Sequence, residues 1–92
     1  MSNKPSIVIT IADDWEALYI NGRIVAQDHE ISRDTLLYHL NQYEVLTTEV
    51  HEVPAYHDPQ LESNGRFPIE IRDVMPDDDK DIELVRPKRE KE

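Results

Sequence analysis

Two groups of side chains in this sequence carry atoms suited to chemistry. His51-Glu52 and His57-Asp58 place four nitrogen and oxygen donors within residues 51–58, around Pro54. Such a set suits zinc or a metal-assisted hydrolytic centre. On a strand, however, His51 and Glu52 point to opposite faces, so at most one of them joins a site with His57. Surface histidines and carboxylates on an edge strand and its loop are the simpler reading. His51, His57 and Asp58 therefore stand as weak metal candidates, and His29-Glu30 is a further isolated pair.

The second group is Asp13-Asp14-Trp15-Glu16, three carboxylates around the only tryptophan. The paired acids of a glycosidase face one another across a cleft of roughly 5–10 Å, which neighbours at a turn cannot do. A solvated turn with Trp15 in the core fits the pattern. So does an interaction patch with an aromatic centre and a charged rim.

Most catalytic signatures are missing. There is no Gly-x-Ser-x-Gly elbow, His-Glu-x-x-His pair or calcium-binding loop, and two glycines cannot build a dinucleotide fingerprint. With no cysteine, a disulfide framework, a thiolate nucleophile and cysteine-ligated zinc are excluded. The expectation is a non-enzymatic protein without a cofactor.

The elements that must position these groups follow from hydrophobic pattern and turn chemistry. Ser6–Ala12 alternates Ile7, Ile9 and Ile11 among β-branched neighbours, which predicts a strand. Asn21-Gly22, flanked by apolar runs, predicts a β-hairpin over residues 15–27, because a two-residue type I′ turn needs positive φ at both positions. A regular ladder would pair Ile20 with Arg23, Tyr19 with Ile24, Leu18 with Val25 and Ala17 with Ala26. Trp15, Ala17, Tyr19, Ile24 and Ala26 would then share one face, opposite Glu16, Leu18, Ile20, Val25 and Gln27. Two arrangements remain open: a sheet covered on both sides, or one face left as a partner surface displaying Trp15 and Tyr19.

Residues 32–43 read as a helix, with Ser32 as cap, Asp34 in the first turn and a stripe of Leu36, Leu40 and Tyr43 widened by Leu37. Ile31 and Leu36 match a hydrophobic staple. Val45–Val53 reads as a strand ended by Pro54. Pro54–Arg66 reads as loop, with a second Asn-Gly turn at Asn64-Gly65, and residues 69–74 as a last short strand. The predicted fold is a small α+β domain: a mostly antiparallel sheet with an Asn-Gly hairpin, one helix packed on it and a charged C-terminal tail. Residues 1–75 form the domain; residues 76–92 are too charged to offset their ordering entropy and are expected to be disordered, with 82–85 able to dock.

The 92 residues include 20 acids and 10 bases, a formal charge of −10. Residues 1–75 hold 13 acids and 5 bases, so the imbalance belongs mainly to the predicted domain. Direct binding to nucleic acid or anionic lipid is disfavoured, because both begin with clustered Lys and Arg neutralising phosphate. The polar N-terminus and short apolar runs argue for a soluble, cytoplasmic protein without a membrane span. The leading expectation is an acidic regulatory module that binds a basic protein partner through Asp13, Asp14, Trp15, Glu16, Tyr19, Asp28 and Glu30. One alternative is a nucleic-acid mimic, whose carboxylates, with Glu44, Glu49, Glu52 and Glu62, would line one surface and block a nucleic-acid-binding protein. Another is a metal-binding or hydrolytic protein using His51, His57 and Asp58.

Overall fold

The computed structural model describes residues 7–42 and 50–86. The chain is an α+β fold built on a four-stranded mixed sheet. Strands β1 (Ile7–Ile11), β2 (Glu16–Ile20) and β3 (Arg23–Asp28) are followed by helix α1 (Arg33–Gln42) and strand β4 (Val50–Pro54). Helix α2 (Pro59–Asn64), 3₁₀ turns at Ile71–Asp73 and Asp79–Asp81, and helix α3 (Ile82–Val85) complete it. The strand order is β3-β2-β1-β4; β1 pairs antiparallel with β2 and parallel with β4.

β1 is central, and its run Ile7–Thr10 is buried on both faces. A strand covered on both sides reads as a nearly continuous apolar run. On one face, Ile7, Ile9, Leu18 and Ile20 pack with Ile31, Leu36 and Leu40, so α1 covers this side. On the other, Val8, Ala17, Tyr19 and Val53 pack with Phe67, Val74 and Val85 from the C-terminal segment. Of the two open arrangements, the sheet is therefore covered on both sides.

Asn21 and Gly22 connect β2 to β3 with φ of 56° and 86°. The ladder begins as Ile20↔Arg23 and Tyr19↔Ile24, then shifts to Leu18↔Ala26, Ala17↔Gln27 and Glu16↔Asp28. This corrects the expected Leu18–Val25 and Ala17–Ala26 pairs. A β-bulge inserts one residue and inverts the facing of everything beyond it. Ala26 consequently packs on the α1 side. Gln27 turns to the opposite side, where its Oε1 accepts hydrogen bonds from Trp15 Nε1 at 2.8 Å and from the Phe67 N–H at 3.1 Å.

Ser32 Oγ accepts the Thr35 N–H at 3.1 Å, capping α1. Leu37, expected in the apolar stripe, is instead 53% exposed; the contact runs along Leu36 and Leu40. Tyr43 and the first half of the predicted strand at 45–53 lie outside the described residues.

The C-terminal layer departs furthest from expectation. Residues 59–64, read as loop, form α2: Asp58 caps it, Pro59 occupies its first turn and Gly65 closes it at φ 75°. Asp or Asn before, Pro at the start and Gly after are the residues that helix ends favour. Asn64-Gly65 is thus a helix end and not an independent loop turn. No strand forms over 69–74; Glu70 makes a single bridge to Arg23 and residues 71–73 form a 3₁₀ turn. Pro68 has no N–H to extend a ladder, and its carbonyl is occupied by the Tyr19 hydroxyl. Beyond Pro76, Asp79–Val85 forms the second 3₁₀ turn and α3, and Val85 is 1% exposed in the core. Arg86 fastens this end, its guanidinium donating to the carbonyls of Arg72 at 2.8 Å and Val74 at 3.1 Å.

Candidate interaction surface

The acidic group is assembled by one end of the sheet. Ala12 N–H donates to the Trp15 carbonyl at 2.8 Å, making a tight connection from β1 to β2 with Asp13 and Asp14 exposed at its tip. β3 ends beside it, so that Glu16 pairs with Asp28, and exposed His29 and Glu30 follow. Asp13, Asp14, Glu16, Asp28 and Glu30 therefore converge on one rim.

Like charges opposite each other destabilise a ladder. Here each carboxylate has a local donor: Glu16 Oε1 accepts the Ile31 N–H at 2.9 Å and Asp28 Oδ1 the His29 N–H at 2.7 Å. Glu16 thereby fixes the approach to α1 and is partly structural.

Trp15 is half-buried beside this rim and packs toward the C-terminal layer, on the face opposite Glu16 and Asp28. Gln27 holds its indole nitrogen, and His29 stands edge-on to its ring at 5.2 Å. His29 Nδ1 also lies 3.1 Å from the Asp14 carbonyl, joining the two loops. Neither His29 nor Gln27 belongs to the expected site. The bulge brings them in, since the shifted ladder, continued past Glu16↔Asp28, sets Trp15 opposite His29. Without the extra residue Asp28 would stand there.

Tyr19 is not part of the surface. It is 0% exposed, and its hydroxyl donates to the Pro68 carbonyl. Burial, reinforced by the charges of Asp58 and Asp73, pushes its phenol pKa up. It is a core residue that ties the C-terminal layer to the sheet.

Of the wider carboxylate set, the two described members lie in opposite layers. Glu52 lies two residues from Val50, which packs on the α1 side, and strand alternation gives the two the same face. Glu62 is exposed on α2 in the opposite layer, 3.6 Å from His57 Nδ1. Glu44 and Glu49 lie outside the described residues. Asp77 adds a carboxylate near the β4 end of the sheet: its N–H donates to the Pro54 carbonyl at 2.9 Å and its Oδ2 accepts the Tyr56 N–H at 2.9 Å.

The weak metal candidates are separated. His51 is half-buried on β4, whereas His57 is exposed in the following turn. Asp58 is fully buried and committed to backbone: Oδ1 accepts the Gln60 and Leu61 N–H groups at 2.9 and 3.1 Å, and Oδ2 the Met75 N–H at 2.7 Å. Among the described residues, no three histidines or carboxylates form a cluster able to hold a metal ion.

No family model matches the chain, and no curated protein or solved structure is significantly similar to it. Among the described residues, no helix is long and apolar enough to cross a membrane.

Proposed function

We propose that this protein is a small, non-enzymatic interaction module that binds a basic protein partner through the acidic rim beside Trp15. The observation that carries this reading is that Asp13, Asp14, Glu16, Asp28 and Glu30 lie together at one end of the sheet, beside a half-buried aromatic ring. An aromatic centre with a charged rim is how many binding surfaces are built. Carboxylates there attract and orient a cationic partner at long range. A local rim is preferred to nucleic-acid mimicry because Glu52 and Glu62 project from opposite layers.

Titration of an arginine- and lysine-rich peptide against the full chain tests this. Neutralising Asp13, Asp14, Asp28 and Glu30 to amides is expected to weaken binding at least tenfold, about 0.35 kcal/mol for each charge removed. Neutralising Asp78, Asp79 and Glu83 in the C-terminal layer is expected to leave it nearly unchanged. Affinity should fall steeply with salt, since exposed charges are screened over about 8 Å at physiological ionic strength. Equal losses in both variants would mean attraction by net charge alone and would overturn the assignment to the rim.

A further inference from the structure

The tripeptide Asn-Gly-Arg occurs twice, at residues 21–23 and 64–66. Asparagine before glycine is open to attack by the next backbone nitrogen on its own side-chain carbonyl carbon, because glycine has no Cβ to obstruct the approach. The two copies sit in different backbone states. We infer that Asn64 is a site of spontaneous deamidation in the folded protein, and that Asn21, in the same local sequence, is protected by its turn.

The reaction closes a five-membered imide containing the glycine nitrogen and the asparagine C, Cα, Cβ and Cγ. The nitrogen must therefore swing to the Cβ side of the Cα–C bond. Asn21 has φ of 56°, in the left-handed region where ψ is about +47°. That ψ sets the Gly22 nitrogen nearly opposite Cβ, out of reach of Cγ. The turn is also pinned by the C-terminal layer: the Gly22 carbonyl accepts the Ile71 N–H and the Ile69 carbonyl the Ile24 N–H, both at 2.8 Å. Ile71 Cγ2 lies 3.6 Å from where a Cβ on Gly22 would stand.

Asn64 is the last residue of α2, and helical ψ of about −42° leaves the next nitrogen to one side of Cβ, roughly 80° of rotation from attack and about half of what the left-handed conformation requires. Asn64 and Gly65 are exposed, and nothing lies within 4 Å of where a Gly65 Cβ would stand. The restraint on the nucleophile is its hydrogen bond to the Leu61 carbonyl, 2.7 Å. A helix of six residues has little stability of its own, and its last turn opens far more often than the whole domain.

In the opened turn, solvent base removes the Gly65 N–H proton and the nitrogen attacks Asn64 Cγ. The bond from Cγ to the side-chain nitrogen breaks, and that nitrogen leaves as ammonia after taking a proton from solvent. Water then opens the imide at either carbonyl, giving Asp or isoaspartate. Either product adds a negative charge at a helix C-terminus, where the dipole disfavours it. Isoaspartate also lengthens the main chain by one carbon and shifts Gly65 out of its capping position.

Ageing the full-length protein in mildly alkaline buffer, followed by tryptic mass spectrometry of the peptides ending at Arg23 and Arg66, tests the inference. The Asn64 peptide should acquire the deamidation mass at least about tenfold faster than the Asn21 peptide, as local and global opening differ. In concentrated urea the two rates should converge, because the local sequences agree. Equal native rates, faster reaction at Asn21, or an Asn64 peptide that converts only in urea would each overturn it.

Discussion

Replacing Asp58 with alanine should be among the most damaging single changes in this protein, although the residue reads as an ordinary polar loop position. Its carboxylate is fully buried and accepts three backbone N–H groups, two in the first turn of α2 and one from Met75. Losing a helix cap costs about 0.5–2 kcal/mol. Leaving the part-buried Met75 N–H without its acceptor costs up to about 1–3 kcal/mol more. The sum, roughly 2–5 kcal/mol, is a large part of the roughly 5–14 kcal/mol that a chain of this length commands. It corresponds to a fall in Tm of about 8–40 °C, at about 4–8 °C per kcal/mol. Asp58→Asn separates the two contributions. An amide oxygen can still cap α2, but its NH₂ group then faces the Met75 N–H, donor against donor, so the loss should be intermediate. Urea and thermal unfolding followed by circular dichroism measure both variants. An Asp58→Ala protein within about 0.5 kcal/mol of the parent, the range of neutral surface changes, or an Asn variant as stable as the parent, would refute the reasoning.

Three other outcomes follow from buried polar groups. Thr10 is 0% exposed on the central strand, and its hydroxyl has no hydrogen-bond partner among the described residues; Thr10→Val should raise stability by about 1–2 kcal/mol, and a loss in the same melt would show that the hydroxyl is bonded in solution. Gln27→Leu strands both Trp15 Nε1 and the Phe67 N–H, with an expected loss of about 1–3 kcal/mol and a shift in tryptophan emission; unchanged emission would mean that Gln27 does not position the ring. For Tyr19, a folded-state pKa above the ordinary 10.0 means that the unfolded chain releases this proton first as pH rises. Its contribution is therefore complete below about pH 10 and is lost above it at up to about 1.4 kcal/mol per pH unit. Tyr19→Phe, weaker by about 1–2 kcal/mol at neutral pH for want of the bond to Pro68, should converge with the parent in alkaline urea titrations, and parallel curves would contradict this origin.

The features legible in the sequence are local. The β-branched run of β1, the Asn-Gly connection with its first two cross-strand pairs, the Ser32 cap and the Leu36/Leu40 contact are set by the preferences of neighbouring residues. So are the missing thiols, the short glycine supply and the excess of acids at the 13–16 turn. Tertiary structure decided the rest. The bulge at Val25, opposite the Leu18–Tyr19 step, turned Gln27 inward and set His29 against Trp15, a one-residue shift that no hydrophobic pattern marks because Val25 and Ala26 are both apolar. Tyr19 passed from a possible surface aromatic to a core anchor once Pro68 supplied an acceptor for its hydroxyl. Asp58, Pro59 and Gly65 carried end signals for a helix too short to show a period. Whether Asp13, Asp14, Asp28 and Glu30 share a rim depends on which strand ends lie side by side, and that is a property of the assembled sheet.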